Sequence, residues 1–177
     1  MNLKEKKLNN ELKIRPLCWS DIDLLCAFVN RLSKENTYVM LSGETITREQ
    51  EVEYVSQSLV LTEKNKKIHL VVTYENEIVG NAEVRIQEKR KNHSGIVTIA
   101  IDKKMRGKGV GTALLKTLID NARRMKLKML YLSSMYINSA GIAVYEKLGF
   151  KQFGLLPGAF FYKGTYVDEV FYYLKIN

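Results

Sequence analysis

The segment Arg106-Gly107-Lys108-Gly109-Val110-Gly111-Thr112 constrains this chain more than any other. An apolar run, Ile96-Val97-Thr98-Ile99-Ala100-Ile101, reads as a strand and leads into it. An amphipathic run, Ala113-Leu114-Leu115-Lys116-Thr117-Leu118-Ile119, follows and reads as a helix. Glycines at such a junction let backbone N–H groups approach an anion closely, and the helix dipole favours negative charge there. Arg106 and Lys108 place cationic side chains beside it. The stretch reads as a cradle for a diphosphate.

Two familiar phosphate cradles do not fit. A P-loop needs Lys directly after its last glycine, followed by Ser or Thr, but Gly111 is followed by Thr112 and Lys108 sits too early. The dinucleotide fingerprint G-x-G-x-x-G needs Gly or Ala where this chain has Thr112 or Leu114. The pattern that fits is R/Q-x-x-G-x-G/A, filled by Arg106, Gly109 and Gly111. A second block lies downstream: Asn138-Ser139-Ala140-Gly141-Ile142-Ala143-Val144-Tyr145-Glu146-Lys147-Leu148-Gly149-Phe150. With Gly141 at the Ala position, it resembles the N-x-x-A-x-x-x-Y-x-x-x-G-F segment of the GCN5-related N-acetyltransferases (GNAT), as the first block resembles their acetyl-CoA site. The resemblance in the order of elements runs from about Leu12 to Ile176.

Hydrophobic periodicity supports one domain over 12–177, with 1–11 a flexible polar lead-in rich in Lys, Glu and Asn. Leu12–Leu17 alternates as a strand. Ser20 with Asp23, and Thr47 with Gln50, read as capping boxes that start two helices, with Asn36 to Ile46 irregular between them. Ile68–Tyr74 and Ile78–Ile86 form a hairpin, with Gly80 at a bulge. Met129–Ser133 is a strand, a short helix carries Tyr145, and Phe150–Leu155 and Val167–Ile176 are the last strands. The loop between those two strands holds Pro157, Gly158 and Gly164. The expected fold is α/β (α+β): a single mixed, mostly antiparallel sheet of about six or seven strands flanked by about four helices.

Composition limits the partners. The formal net charge is +9, from 28 Lys and Arg against 19 Asp and Glu. A basic chain prefers anions. Coenzyme A phosphates account for part of that excess. Nucleic acid is not favoured, because no zinc finger, RNP-like aromatic block or helix-turn-helix pattern occurs. Cys18 and Cys26 form no C-x-x-C pair, His69 and His93 are isolated, and no metal-binding spacing appears. Both cysteines read as small buried residues rather than a disulfide. No apolar run approaches the ~18–20 residues needed to span a bilayer, and Met1 to Lys13 lacks the apolar core of a secretory signal. The cytoplasm is the expected compartment.

The resemblance implies an acetyl-CoA-dependent N-acetyltransferase acting on a primary amine by direct attack on the thioester. Acetyl-CoA would lie along Ile99, Ala100 and Ile101, whose free backbone groups pair with the pantetheine arm. Its diphosphate would lie on Arg106, Gly107, Lys108, Gly109, Val110, Gly111 and Thr112. The Asn138 side-chain amide would touch the pantetheine, or else cap the following helix. Tyr145, a phenol protonated at neutral pH, would donate to the departing thiolate. No carboxylate occurs in Ser94-Gly95-Ile96-Val97, where several relatives carry their base, and Ser133 stands where the ribosomal-protein enzymes carry Glu. Glu83 is the best remaining carboxylate for the general base, and Glu44 a weaker one. The aromatic stretch Phe160–Tyr166, followed by Asp168-Glu169, lies where relatives build part of the acceptor pocket. The acceptor could be a small-molecule or protein amine, and dimers are common among resembling proteins, so a homodimer is among the expected assemblies. The runner-up is a catalytically silent acyl-CoA-binding sensor of the same fold, which the missing carboxylate favours.

Overall fold

The computed structural model describes Leu3, Lys6, Lys7 and residues 11–176. Strands β1 (Lys6–Lys7), β2 (Lys13–Pro16), β3 (Lys67–Tyr74), β4 (Glu77–Ile86), β5 (Ser94–Ile101), β6 (Met129–Met135), β7 (Lys151–Tyr162) and β8 (Thr165–Lys175) form one sheet. Their order is β1-β2-β3-β4-β5-β6-β8-β7. Neighbours are antiparallel except β5 and β6, which are parallel. Helices α1 (Ile22–Glu35), α2 (Arg48–Glu63), α3 (Val110–Arg124) and α4 (Ser139–Lys147) flank it. The expected architecture is therefore present, with one addition. The eighth strand is the two-residue β1, which lies inside the expected lead-in and pairs Lys6 with Ile14.

Two cores sandwich the sheet. Ile68, Leu70 and Val72 of β3 and Ala82 and Val84 of β4 face Leu114, Leu115 and Leu118 of α3. Val71 and Ile78 belong to a second cluster, with Leu25 and Phe28 of α1 and Val55 of α2. The i, i+3, i+4 spacing of the α3 leucines and the period-two alternation along β3 supply these faces. Among the described residues no helix is long and apolar enough to cross a membrane.

Three local expectations need correction. The Thr47 cap is formed, with the Gln50 N–H donating to Thr47 Oγ1 and the Thr47 N–H to Gln50 Oε1. The Ser20 cap is not. Asp21 instead accepts the Cys18 N–H at 2.9 Å and both terminal nitrogens of Arg15 at 2.6 and 2.7 Å, while Asp23 pairs with Arg48. The Asp23 carboxylate that would accept the Ser20 N–H in a capping box goes to the Arg48 guanidinium instead. Cys18 is exposed and Cys26 half-buried, so neither is the buried residue expected, and both are free. The chain also stays in β7 through Pro157 and Gly158, with a register irregularity between Leu156 and Phe160. Proline is tolerated there because β7 is the sheet edge and its missing N–H breaks no second ladder.

Candidate functional site

β5 pairs with β6 only from Ser94 to Ile96; beyond that the two parallel strands part. The Gln87 N–H donates to the Ser94 carbonyl and the Asp102 N–H to the Val79 carbonyl, so alternate residues of β5 turn their backbone groups toward β4. By the strand's period of two, Val97, Ile99 and Ile101 turn theirs into the opening. Of the three backbone positions expected there, Ile99 and Ile101 face the gap. Ala100 does not, because by the same period it falls with Ser94 and Asp102, whose backbone groups bond toward β4. The bulge expected at Gly80 lies beside it: the register slips between Val72 and Thr73, leaving Val79 as the extra residue.

At the end of β5, a short 3-10 turn (Lys103–Met105) delivers the chain to the glycine segment. Gly107 has φ 71° and Gly109, the N-cap of α3, has φ 77°. No side chain caps this helix. Among the described residues, the backbone N–H groups of Gly107, Lys108, Gly109, Val110, Gly111 and Thr112 donate to no protein acceptor; the first helical bond is Ala113 N–H to the Gly109 carbonyl at 3.0 Å. The first N–H groups of any helix lack an intrahelical partner, and here the run of free donors extends back through three exposed residues, Gly107 to Gly109. A Cβ at Gly107 or Gly109 would meet nothing within 4 Å, so neither glycine is there to relieve internal crowding.

The two cations behave differently. Arg106 is not free to bind an anion with its planar fork. Its Nε donates to the Ile101 carbonyl at 2.9 Å, and Nη1 and Nη2 pair with both oxygens of Glu35, at 2.5 and 2.8 Å. It straps the cradle to the C-terminus of α1. Lys108 is exposed, makes no ion pair among the described residues, and is the available cation.

On the far side of the gap, Tyr145 is buried and packs against the rings of Phe150 and Tyr172. Burial raises its hydroxyl above the usual phenol range, and the neighbouring Ser134 side chain offsets part of that rise. It is a proton donor at neutral pH. Asn138 caps α4: its Oδ1 accepts the Gly141 N–H at 3.1 Å and its Nδ2 donates to Ser134 Oγ at 3.0 Å. A Cβ at residue 141 would lie 2.5 Å from Nδ2, so glycine is required for this close approach. The cap is thus formed through Oδ1, and Nδ2 keeps a second N–H beyond the one given to Ser134.

Glu83 sits on the opposite face, under α2. The Tyr54 hydroxyl donates to its Oε2 at 2.6 Å, Lys67 Nζ lies 2.5 Å from the same oxygen, and His69 is beyond at 3.8 Å. Burial raises the Glu83 carboxyl, but Lys67, His69 and the Tyr54 hydrogen bond outweigh it and hold the group below the usual carboxylate range. Burial pushes His69 down to about 4, so it is neutral at pH 7. Its Nε2 lies 2.6 Å from Asn81 Oδ1 and its Nδ1 2.6 Å from the Ser58 hydroxyl. Across the sheet Glu83 is in register with exposed Thr98 of β5, placing this network beside the splayed strand. The other candidate base, Glu44, accepts the Ser42 N–H and hydroxyl and lies exposed in the loop between α1 and α2.

The sequence reading missed this network and one further carboxylate. Lys67, His69, Asn81 and Glu83 alternate along one face of the hairpin, and Tyr54 and Ser58 are one helical turn apart; those two periods were the available signal. Glu51, a turn before Tyr54, is 3% exposed, and its Oε1 has no hydrogen-bond partner among the described residues. Burial raises its carboxyl. A carboxyl raised in the folded state keeps its proton longer than in the unfolded chain, so stability is lost as pH climbs past the unfolded value near 4.5. Glu51→Met, which removes the charge at similar length, is expected to raise stability at pH 7 by about 1–3 kcal/mol. The gain should shrink toward pH 4. Denaturant melts at the two pH values check this, and an equal gain at both would refute the titration account.

The family model for the acetyltransferase (GNAT) family matches residues 33–150. The chain belongs to this family. It is 29% identical over 137 residues to N-alpha-acetyltransferase 60 of Xenopus tropicalis, covering 66% of this chain and 57% of that protein. The chain therefore spans less than two thirds of that relative's length. The crystal structure of a GNAT acetyltransferase from Streptococcus pneumoniae superposes with a TM-score of 0.85 at 25% identity, covering 94% of this chain and 100% of the other. A Salmonella typhimurium protein described as a putative acetyltransferase, solved with acetyl-CoA, shares the fold with a TM-score of 0.82 at 20% identity, covering 95% of each chain. The C-terminal hairpin of this GNAT protein closes on the segment after α1. The Tyr162 hydroxyl donates to the Asn36 carbonyl at 3.1 Å, and the Tyr38 and Tyr162 rings lie 5.6 Å apart.

Proposed function

We propose that this GNAT protein transfers the acetyl group of acetyl-CoA to a primary amine by direct attack on the thioester. The observation that carries the proposal is the run of free N–H groups from Gly107 to Thr112 at the end of a strand that parts from its neighbour. Those amides, with Lys108, would hold the diphosphate. The outward backbone groups of Val97 and Ile99 would pair with the pantetheine arm, and the N–H at Ile99 is suited to the oxygen on which negative charge builds. Tyr145 would protonate the leaving sulfur. Acetyl-CoA in the Salmonella relative's crystals is in keeping with this reading.

The amine enters from the α1–α2 side in this reading. Between residues 21 and 63 the chain has eight carboxylates against three Lys and Arg, a reversal of its overall sign. That layer favours a cationic acceptor. Glu83 would draw in the ammonium as an ionised carboxylate. Because Lys67 and Tyr54 already occupy it and its proton affinity is low, bulk water would take the ammonium's proton. The same occupancy favours the second reading, a silent acyl-CoA-binding sensor. Incubation with acetyl-CoA and a panel of small amines and peptides separates the two. The transferase reading expects thiol release matched by one amine gaining one acetyl group. Tight CoA binding without any acetylated product would favour the sensor.

A further inference from the structure

Most of the positive charge is not at the cradle, where Lys103, Lys104, Arg106 and Lys108 stand against Asp102. Segments 63–66, 85–91 and 120–128, with Lys175, carry eleven Lys and Arg against Glu63, Glu88 and Asp120, a surplus of eight in a chain whose total is nine. All eleven are exposed. Only Lys66, with Glu88, and Arg123, with Asp120, form ion pairs among the described residues. Backbone hydrogen bonds join these segments: Ile86 N–H to the Lys66 carbonyl, Gln87 N–H to Ser94, Lys128 N–H to His93 and Ile176 N–H to Lys128. They lie at the adjoining ends of β3, β4, β5, β6 and β8, a front of about 19 Å at ~4.8 Å per strand. The cradle is at the other end of β5, roughly 25 Å away at ~3.3 Å per residue. With a Debye length of about 8 Å at physiological salt, this pole contributes little to holding coenzyme A.

The pole also contains a concave feature. A groove of about 450 Å³ runs between the C-terminal turn of α2 and the ends of β4 and β5, lined by Lys66, Arg85 and Glu88 together with Leu61, Ile86 and Ile96. It lies far from the glycine segment and is not the acetyl-transfer site, since none of the free amides or Tyr145 lines it.

We propose that this basic pole binds the phosphate backbone of a nucleic acid. Arg123, Arg124 and Lys126 also complement the C-terminal dipole of α3, but that leaves the surplus at 63–66, 85–91, Lys128 and Lys175 without an internal use. No Phe, Tyr or Trp occurs in 63–66, 85–93 or 120–128. Protein interfaces concentrate their energy in buried aromatic anchors, which this surface lacks. Backbone recognition needs only cations at phosphate spacing, which explains why no base-reading motif accompanies it.

The test is fluorescence anisotropy of ~20-base-pair RNA and DNA duplexes with the full chain at 50 and 200 mM KCl. Micromolar binding is expected at the lower salt, with a log–log salt slope of about −4 or steeper. Lys89→Gln/Lys91→Gln/Arg124→Gln/Lys126→Gln should lose at least ~10-fold in affinity and about 3 units of slope while binding coenzyme A normally. Should that variant misfold, Arg90→Gln/Lys128→Gln/Lys175→Gln carries the same prediction with about 2 units of slope. RNA bound more tightly than DNA, or the reverse, names the source. Absence of saturation at 50 mM KCl, unchanged binding by the variants, or equal affinity for polyglutamate of matched charge would overturn the proposal.

Discussion

Gly109→Val is expected to weaken coenzyme A binding by at least ~100-fold, about 2.7 kcal/mol, measured by calorimetry. Gly109 holds φ 77° at the N-cap of α3, the conformation that turns the neighbouring N–H groups together. A side chain in this left-handed region costs roughly 1–2 kcal/mol, and a β-branched one is among the least tolerant. The protein itself offers no clash, because the added Cβ meets no heavy atom within 4 Å. The strain is relieved by rotating the peptide, which withdraws donors from the anion, and the new methyls occupy the space the anion needs. Loss of affinity should therefore exceed loss of stability, and Gly109→Ala should fall between Val and the parent. A valine variant with parental affinity would show that this backbone geometry does not bind the diphosphate.

Tyr145→Phe is expected to lower kcat by about 10²–10³ while changing coenzyme A affinity less than ~2-fold. Phe keeps the ring contacts with Phe150 and Tyr172, so the core stays filled. It loses only the hydroxyl, which in the proposed mechanism carries the proton for the leaving sulfur. Stopped-flow thiol release and calorimetry separate the two effects. An unchanged kcat would exclude Tyr145 from the mechanism.

What the sequence disclosed was local. The glycine segment, the Thr47 cap and the β3–β4 hairpin each depend on residues within a few positions of one another. The engagement of Arg106 could not be read this way, because Glu35 lies 71 residues earlier and only the packing of α1 beside the cradle brings them together. Asn138 was ambiguous for a related reason: one amide can serve a cap, a ligand or both, and the backbone direction at Gly141 shows that the cap is formed. The Glu83 network has contributions from α2, β3 and β4, so its members stay isolated polar residues until three elements are assembled. The net charge was visible as a sum, but its concentration at the sheet end opposite the cradle required the strand order. Continuity of β7 through Pro157 likewise depended on its position at the edge.

The central claim is that the main-chain N–H groups from Gly107 to Thr112 grip the diphosphate of the acetyl donor. A crystal structure of the full chain with acetyl-CoA tests it most directly. The account predicts diphosphate oxygens about 3 Å from several of these nitrogens, with the pantetheine running along the open edge of β5. Diphosphate held elsewhere, with these N–H groups turned to protein or water, would contradict it.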